Sequence, residues 1–441
     1  MGNIYNFSRN VFQEVKQESS LNRTFLFIAL LLLTIPLPFV VNNLALALLV
    51  LFSISSFKQT PYKSYTLLYL PICLFVLMAA SYFWSIDKQA TLEAIPKEIA
   101  LLLISLVFMK FQLSKSQVAL LLKLYSFSIV ALVVFFSIRA IIRYIISNDI
   151  RAFFYHGEND DDYGLVPKLL NAIHVSAYVT MAFFYFFTKE IKSKLDVLIS
   201  FILGGFLILL SSKNIILVFI FLILIYYFFY SRASHKMRLR NLILFGSIII
   251  LALSFGKIKE RFQEEFRNNT STSLSANVLS TFPNGVHNIS IYEAWNNKQF
   301  TPNDYFPGTA FRVYQIRMFL ELLKEEPIFL NGFGLNASKK MLLIKEEKYN
   351  LYKGYGSFNF HNQYIQNFAE LGIFGFLLLL LMLGISLKKS LKNKDFIHFS
   401  FTVLMISLFL TESFLWRQRG VVFFTLFYCI FNTMSHKKFE N

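Results

Sequence analysis

Charged residues are scarce in this chain: Asp, Glu, Lys and Arg together make up 16% of its 441 residues. Water-soluble domains carry about 25% charged residues, because every helix or strand turns a polar face to solvent. Uncharged stretches of roughly 15 to 22 apolar residues recur instead, the length that crosses about 30 Å of hydrocarbon as a helix. The shortage of charge therefore excludes a soluble globular protein and predicts an all-α integral membrane protein.

Cysteine is also scarce, with only Cys73 and Cys429 in the chain. Both lie inside apolar runs near opposite ends of the sequence, where a thiol behaves as a small hydrophobic group. The sequence has no CxxC motif and no Cys/His cluster with the spacing of zinc ligands. We therefore expect neither a disulfide nor a structural metal.

Acidic residues are fewer than basic ones, and the formal net charge is +17. In a soluble protein this excess would indicate a nucleic-acid partner. In a membrane protein, Lys and Arg collect in cytoplasmic connections, so the excess needs no nucleic acid to explain it. We expect membrane lipids, and no nucleic acid, as partners of this chain.

Apolar windows predict about twelve transmembrane helices. They lie near residues 25–40, 43–57, 65–83, 95–109, 117–143, 172–188, 194–211, 214–230, 240–255, 366–387, 395–414 and 420–434. Alternate connections are basic, including those that contain Lys58, Lys110, Lys189, Arg232 and Lys388. This pattern predicts that both termini are cytoplasmic and that the other connections face the opposite side.

The connection 256–360 is by far the longest polar segment and would lie outside the cytoplasm. Its polar composition, punctuated by Pro, Asn and Gly, predicts a partly ordered domain on the membrane surface. Chains rarely keep so long a loop without a function for it. We therefore divide the chain into an N-terminal bundle of about nine spans (1–255), a functional loop (256–361) and a C-terminal bundle of about three spans (362–441).

Residues Thr309–Leu323 of this loop follow the pattern of an amphipathic helix, which ends before Pro327 and Gly332. The helix carries Arg312 and Arg317. Two guanidinium groups near the start of an interfacial helix suit bidentate binding of an anion, most naturally a lipid diphosphate. The alternative is that both arginines extend to lipid headgroups without a specific ligand.

His361 directly precedes the tenth apolar run, at its outer mouth. An imidazole there titrates near neutral pH and accepts a proton from a hydroxyl nucleophile. The alternative is an interfacial histidine without a chemical role. More ionisable groups end apolar runs at the same face, where they could bind an anion or pair with each other: Lys213, Glu412, Arg417 and Arg419. His174, at the mouth of span six, is expected to be an ordinary helix-end residue.

These features together resemble the O-antigen ligase and O-antigen polymerase superfamily of bacterial membrane glycosyltransferases. The resemblance rests on the twelve-span layout and on the single large loop between spans nine and ten. It also rests on the order of short motifs: Trp84-Ser85-Ile86-Asp87 after span three, Arg312, Pro327, Gly332 and Gly334 in the loop, and His361-Asn362 before Glu370-Leu371-Gly372-Ile373-Phe374-Gly375.

The resemblance implies a fold of the C-type glycosyltransferase kind in the bacterial inner membrane, with the large loop, including its amphipathic helices, in the periplasm. It implies transfer of a glycan from undecaprenyl diphosphate to a hydroxyl of lipid A core, without nucleotide, metal or other cofactor. His361 would activate the acceptor hydroxyl, and Arg312 would bind the donor diphosphate and stabilise the leaving group, with inversion at the anomeric carbon. Beyond these two residues, we expect diphosphate contacts from Arg317 and Lys213, and support from Asn362, Glu412, Arg417 and Arg419.

Lys213 departs from the family pattern, which has an arginine at the turn after span seven. A lysine keeps the positive charge but loses the bidentate geometry of a guanidinium. A diphosphate contact therefore remains expected at Lys213, with less catalytic weight. Arg317 is an additional cation that could compensate.

Other functions stay open at this point. An O-antigen polymerase would join carrier-linked repeat units, but usually divides its arginines between two sizeable outer loops, whereas the connection 148–168 is short and acidic. A related transferase could act on protein. A lipid-linked glycan transporter would place ionisable groups at mid-membrane and would show two matching halves, and the sequence indicates neither.

Overall fold

The computed structural model describes residues 2–21, 23–55, 66–154, 164–232 and 285–434, with a few further positions between 243 and 282. Within these residues the protein is all-α, apart from one pair of two-residue strands.

The helices and strands are as follows in chain order. The helices are α1 (Gly2–Leu21), α2 (Thr24–Thr34), α3 (Phe39–Ser55), α4 (Thr66–Ala80), α5 (Lys88–Glu98), α6 (Ala100–Lys110), α7 (Lys115–Ser147), α8 (Ala172–Phe187), α9 (Lys194–Leu209), α10 (Lys213–Ile225), α11 (Ile291–Asn296), α12 (Gly308–Glu325), α13 (Ser338–Lys348), α14 (Gln363–Asn393), α15 (Phe396–Thr411) and α16 (Gln418–Thr433). The strands β1 (His287–Asn288) and β2 (Asp304–Tyr305) pair in parallel, with His287 opposite Asp304 and Asn288 opposite Tyr305.

Several helices have the length and composition to cross a membrane. In the described part of the chain, four are long and apolar enough: Thr66–Phe83, Lys115–Ser147, Lys213–Tyr230 and Gln363–Asn393. Shorter apolar helices are Thr24–Thr34, Phe39–Ile54, Ala172–Phe187 and Phe396–Thr411. The protein is therefore a multi-pass membrane protein. The expected ninth span, 240–255, lies outside the described residues, and the count of twelve stays a prediction.

The first predicted hairpin turns earlier in the chain than its apolar windows indicate. Helix α2 ends at Thr34 and α3 starts at Phe39, where the windows placed the break near residues 41–42. Pro36 and Pro38 explain the difference, because proline donates no backbone hydrogen bond and its ring disrupts the interior of a helix. Asn42 Nδ2 then closes the hairpin by donating to Thr34 Oγ1 at 3.1 Å.

The bundle packs around α16, in which every residue from Arg419 to Thr433 is buried. Aromatic rings fill the space beside this helix. Phe401 stacks on Phe427 with ring centroids 5.6 Å apart, and Tyr125 meets Phe427 edge-on at 5.1 Å. Many Leu, Ile and Phe side chains on other helices are exposed, which fits a bundle whose outer surface contacts lipid.

The described part of the loop, 285–360, has an aromatic core of its own. Apolar side chains of α12 pack there with the rings of Phe306, Tyr349 and Tyr355. The expected amphipathic helix 309–323 is present as α12. The loop segment that follows α12 is therefore held against a folded unit.

The segment Phe329–Asn336, which we call the clasp, joins the loop to the first part of the chain. Trp84 Nε1 donates a hydrogen bond to Asn331 O at 2.8 Å, and Ile86 N donates to Phe333 O at 3.0 Å. The Trp-Ser-Ile-Asp motif and the Gly-x-Gly motif, which stand far apart in sequence, thus meet in the structure.

The clasp also pairs with α14 on its other side. Ile373 N donates to Phe329 O at 2.8 Å. Gly372 has φ 65°, and a Cβ there would stand 2.0 Å from Leu330 O. Only glycine allows both this backbone angle and this close approach. The clasp therefore joins the Trp84 turn, the loop and the kink in α14.

Candidate active site

His361 lies directly before α14, at the end of the helix that faces the loop. Its backbone has φ 47°, and its ring lies 5.7 Å from Phe311 and 5.9 Å from Phe358, measured between ring centroids. The imidazole is 21% exposed. Aromatic walls and partial exposure together make a histidine that a ligand can reach.

Asn362, the next residue, holds His361 in place. As the N-cap of α14 it accepts a hydrogen bond from Ile365 N at 3.1 Å, which satisfies an otherwise unpaired donor of the first turn. Its Nδ2 donates to Leu410 O at 3.0 Å. The predicted supporting role of Asn362 thus has a structural basis, because this side chain ties the His361 turn to the end of α15.

Glu412 follows α15 and faces His361. Its Oε2 lies 3.6 Å from His361 Nδ1, and its side chain is 12% exposed. Burial alone would raise the pKa of Glu412, but His361, Arg312 and Arg417 overcome this effect and lower it to about 2. The group is therefore a carboxylate at neutral pH. Because it attracts a proton to Nδ1, it favours the tautomer with a lone pair on Nε2.

Arg312 reaches the same place from the first turn of α12. Its Nε donates to Thr411 O at 3.1 Å, and its Nη1 donates to Gly308 O at 3.2 Å. Burial lowers the pKa of Arg312, and the Glu412 carboxylate counteracts that effect. Arg312, His361 and Glu412, all singled out from the sequence, are thus brought together.

Lys213 begins α10, which abuts the same end of α15. The next residue, Asn214, donates from Nδ2 to Thr411 Oγ1 at 2.7 Å and to Ser407 O at 2.8 Å. Thr411 therefore contacts Arg312 through its carbonyl and Asn214 through its hydroxyl. Sequence reasoning missed Asn214 and Thr411, because their importance comes from a contact between helices that are remote in the chain.

Arg317 takes a different side of α12 from Arg312. Its Nε lies 2.9 Å from Glu321 Oε1, its Nη1 donates to Asn297 O at 2.6 Å, and its guanidinium lies 5.2 Å from the centre of the Tyr349 ring. This arginine is engaged within the loop core. The structure therefore does not bring Arg317 to the His361 group, and its expected diphosphate contact stays a prediction.

The two arginines near the start of α16 also separate. Arg417 is exposed and close enough to Glu412 to lower its pKa. Arg419 is buried, donates to Leu169 O at 2.5 Å and to Leu37 O at 3.0 Å, and covers the Phe39 ring at 4.1 Å. Arg417 therefore neighbours the candidate site, whereas Arg419 ties the first hairpin to the bundle.

His174 lies in the first turn of α8, as expected of a helix-end residue. Its ring is buried and stacks on Phe414 with centroids 4.2 Å apart. It belongs to the packing beneath the candidate site.

The candidate site combines a base and an anion-binding group. His361 offers a ring nitrogen oriented by a carboxylate, and Arg312 offers a guanidinium beside it. This pairing suits proton abstraction next to a negatively charged leaving group. Among the described residues, no group of three or more His, Cys, Asp or Glu could hold a metal ion.

Comparison with known proteins agrees with the motif order. Residues 198–380 match the family model described as O-antigen ligase, a stretch that contains α9, α10, the loop and the first part of α14. No curated protein matches the chain. The family covers both ligases and polymerases. The resemblance expected from the sequence is therefore confirmed over residues 198–380, where this membrane protein matches the O-antigen ligase family.

Proposed function

We propose that this protein is an O-antigen ligase. It transfers a glycan from undecaprenyl diphosphate to a hydroxyl of lipid A core oligosaccharide. The observation that carries the proposal is the convergence of His361, Glu412 and Arg312 at one end of α14 and α15. The family match over residues 198–380 supports it.

The reaction begins with the acceptor hydroxyl. His361 Nε2 takes the proton of this hydroxyl while the acceptor oxygen bonds to the anomeric carbon of the glycan. The bond between that carbon and the diphosphate oxygen breaks, and its electron pair leaves with the diphosphate. Attack from the face opposite the diphosphate inverts the anomeric configuration.

The charges that form during the reaction account for the roles of the other site residues. Glu412 stabilises the imidazolium that forms when His361 takes the proton. Arg312 stabilises the negative charge that grows on the diphosphate, and Lys213 and Arg417 add positive charge at the same end of the bundle. No nucleotide, metal or other cofactor takes part, so we expect a chelator of divalent ions to leave transfer unchanged.

The proposed reaction requires a particular topology. We place about twelve spans in the bacterial inner membrane, both termini in the cytoplasm and the loop 256–361 in the periplasm. Reporter fusions within 285–360 should be active only with a periplasmic reporter, and fusions within 388–394 only with a cytoplasmic one. A cytoplasmic location of the loop would rule out the proposed mechanism, because the proposed donor and acceptor glycans are periplasmic.

The function is tested by deleting the gene in its bacterial host and analysing surface lipopolysaccharide on gels. The strain is complemented with wild type, with His361→Ala and with His287→Ala, a control whose exposed histidine lies in the same loop. A ligase requires loss of long glycan from lipid A core while carrier-linked polymer accumulates. His287→Ala should restore wild-type lipopolysaccharide and His361→Ala should not.

Polymerase is the second candidate, because the matched family includes polymerases. It would join carrier-linked repeat units with the same base and the same diphosphate leaving group. In the deletion strain, lipid A core would then carry a single repeat instead of none. An unchanged lipopolysaccharide pattern in that strain would reject both enzymes, and a transferase acting on protein or a lipid-linked glycan transporter would then need testing.

A further inference from the structure

A small polar cavity lies where the clasp meets α5 and α14, and His361, Glu412 and Arg312 are not among the residues that line it. Its volume is about 30 Å³, and it is lined by side chains from α5, the clasp, α14 and the turn before α16. A space of this size holds one or two waters or a small ion. Glu98, Glu370 and Asn336 contribute carboxyl and amide groups to its wall.

Oxygen atoms without partners point to a ligand in this cavity. Glu98 is 5% exposed, and among the described residues its Oε2 has no hydrogen-bond partner. The same holds for Asn336 Oδ1. Buried polar atoms are nearly always satisfied by protein, water or an ion, because leaving one unpaired costs about 1–3 kcal/mol.

The amide donors of the wall are already engaged. Gln363 Nε2 donates to Asn367 Oδ1 at 2.7 Å, and Asn367 Nδ2 donates to Gly375 O at 3.3 Å. Gln366 Nε2 donates to Glu370 Oε1 at 2.5 Å. Glu370 Oε1 accepts this bond and a second one from Ser338 Oγ at 3.2 Å. Among the described residues, the wall oxygens left without a partner are Glu98 Oε2 and Asn336 Oδ1, and two such acceptors suit a hard cation.

The charges of the wall indicate the valence of that cation. With both carboxyl groups ionised, Glu98 and Glu370 carry two negative charges beside a single ammonium, that of the exposed Lys97. One net negative charge is left over, and a buried charge without a partner is strongly unfavourable. A divalent ion would overcompensate, and hydrated Mg²⁺, which keeps several waters, does not fit so small a space.

We propose that this cavity binds one monovalent cation, with Na⁺ as the probe. The ion joins α5 to the clasp and to α14 through the oxygens of Glu98, Asn336 and Glu370. Its role is to hold the loop on the bundle, and it takes no part in glycan transfer. The inference is therefore independent of the proposed function.

The test uses the full-length protein in detergent at pH 8. NaCl is titrated against choline chloride at constant ionic strength, and the midpoint of thermal unfolding is recorded. Tryptophan fluorescence at 20 °C is followed in parallel, because Trp416 lines the cavity. We expect a saturable rise of the midpoint and a saturable change in fluorescence with Na⁺.

Three variants give the proposal its controls. Glu98→Gln should raise the half-saturating Na⁺ concentration at least about tenfold or abolish saturation. Glu93→Gln, an exposed acid on the same helix, should respond as wild type. Lys97→Ala should lower the half-saturating concentration, because it removes the competing ammonium, and it tests the proposal even if Glu98→Gln does not fold.

Specific outcomes would overturn the cation site. These are an absence of Na⁺ dependence, an equal response of wild type and Glu98→Gln, or equal stabilisation by choline. Stabilisation by low pH without any effect of Na⁺ would mean that the two carboxyl groups share a proton instead. Saturation by micromolar Ca²⁺ would reject a monovalent ion.

Discussion

His361 Nδ1 and Glu412 Oε2 lie 3.6 Å apart, although one residue precedes α14 and the other follows α15. The two helices form an antiparallel hairpin, so the start of the first meets the end of the second. Tyr364 OH donates to Ile406 O at 3.0 Å within the same hairpin. The contact between acid and base is therefore a property of the hairpin.

The first prediction concerns Glu412 as a positioning residue. Glu412→Gln should lower kcat by about 10- to 100-fold, because the imidazolium loses its counter-charge and the tautomer preference weakens. KM for the carrier-linked donor should change little. Steady-state kinetics with Glu347→Gln, an exposed loop acid, serve as the control, and an equal loss in both variants would contradict the assignment.

The second prediction concerns stability in acid. The pKa of Glu412 falls from 4.5 to about 2 in the folded protein, so its stabilising effect is complete above about pH 4.5 and is lost as pH falls toward 2. At pH 7 the free energy of unfolding of wild type should exceed that of Glu412→Gln by up to about 3 kcal/mol. Unfolding midpoints in detergent should converge below pH 4.5, and a constant difference would reject the low pKa.

The third prediction separates Arg312 from other cations of α12. Arg312→Ala should lower kcat/KM for the diphosphate-linked donor at least about 100-fold, and Arg312→Lys should recover part of it, because lysine keeps the charge without the bidentate geometry. Lys324→Ala, which removes an exposed cation from the same helix, should be near wild type. Donor titrations with purified protein decide the matter, and full activity of Arg312→Ala would remove Arg312 from the mechanism.

The fourth prediction tests the kink in α14. Gly372→Ala should fold poorly, because its Cβ would stand 2.0 Å from Leu330 O and its φ is 65°. Gly384→Ala is the matched control in the same helix, since a Cβ there meets nothing within 4 Å. Gly384→Ala should leave the free energy of unfolding unchanged or raise it by up to about 1 kcal/mol. Size-exclusion profiles and unfolding midpoints report the difference, and equal behaviour would mean that the clasp is not rigid.

The fifth prediction concerns the ionic contacts of the loop core. Lys345 is 3% exposed and pairs with Glu321 at 2.8 Å and Glu325 at 3.0 Å. Lys345→Ala removes the buried cation that these two acids share. Glu321 keeps Arg317 and Glu325 keeps Lys348, so we expect a destabilisation of about 2 kcal/mol, less than for a fully unpaired buried charge.

The control for this change is Lys348→Ala. Lys348 pairs with the same Glu325 at 3.4 Å but is 54% exposed, so its loss should cost less than about 1 kcal/mol. Limited proteolysis within 285–360 compares the two variants. Equal resistance of both to the protease would show that burial of Lys345 contributes nothing.

Local sequence patterns predicted much of the architecture. Lengths of apolar runs indicated membrane helices, and the amphipathic pattern at 309–323 corresponds to α12 at 308–325. Proline positions account for the one hairpin whose ends were misplaced. These features depend on residues close in sequence, and such patterns are readable without the fold.

Local patterns did not predict which arginine of α12 would lie at the candidate site and which in the loop core. Arg312 and Arg317 stand on one helix, yet five residues of about 100° each turn them to different sides. One faces Thr411, and the other faces Glu321. Their partners come from separate elements of the chain, so no local pattern distinguishes a site residue from a core residue.

By itself, the sequence determined that this is a helical membrane protein, that its long polar loop falls at 256–360 of the chain, and that His361 directly precedes a helix. These three features follow from local composition and spacing. Only the tertiary structure brought Glu412 to 3.6 Å from His361, engaged Arg317 and Arg419 in contacts away from His361, and joined the glycine motifs in the clasp. The physical reason is that hydrogen bonds, ion pairs and close backbone contacts act over about 3 Å in space and are independent of distance along the chain.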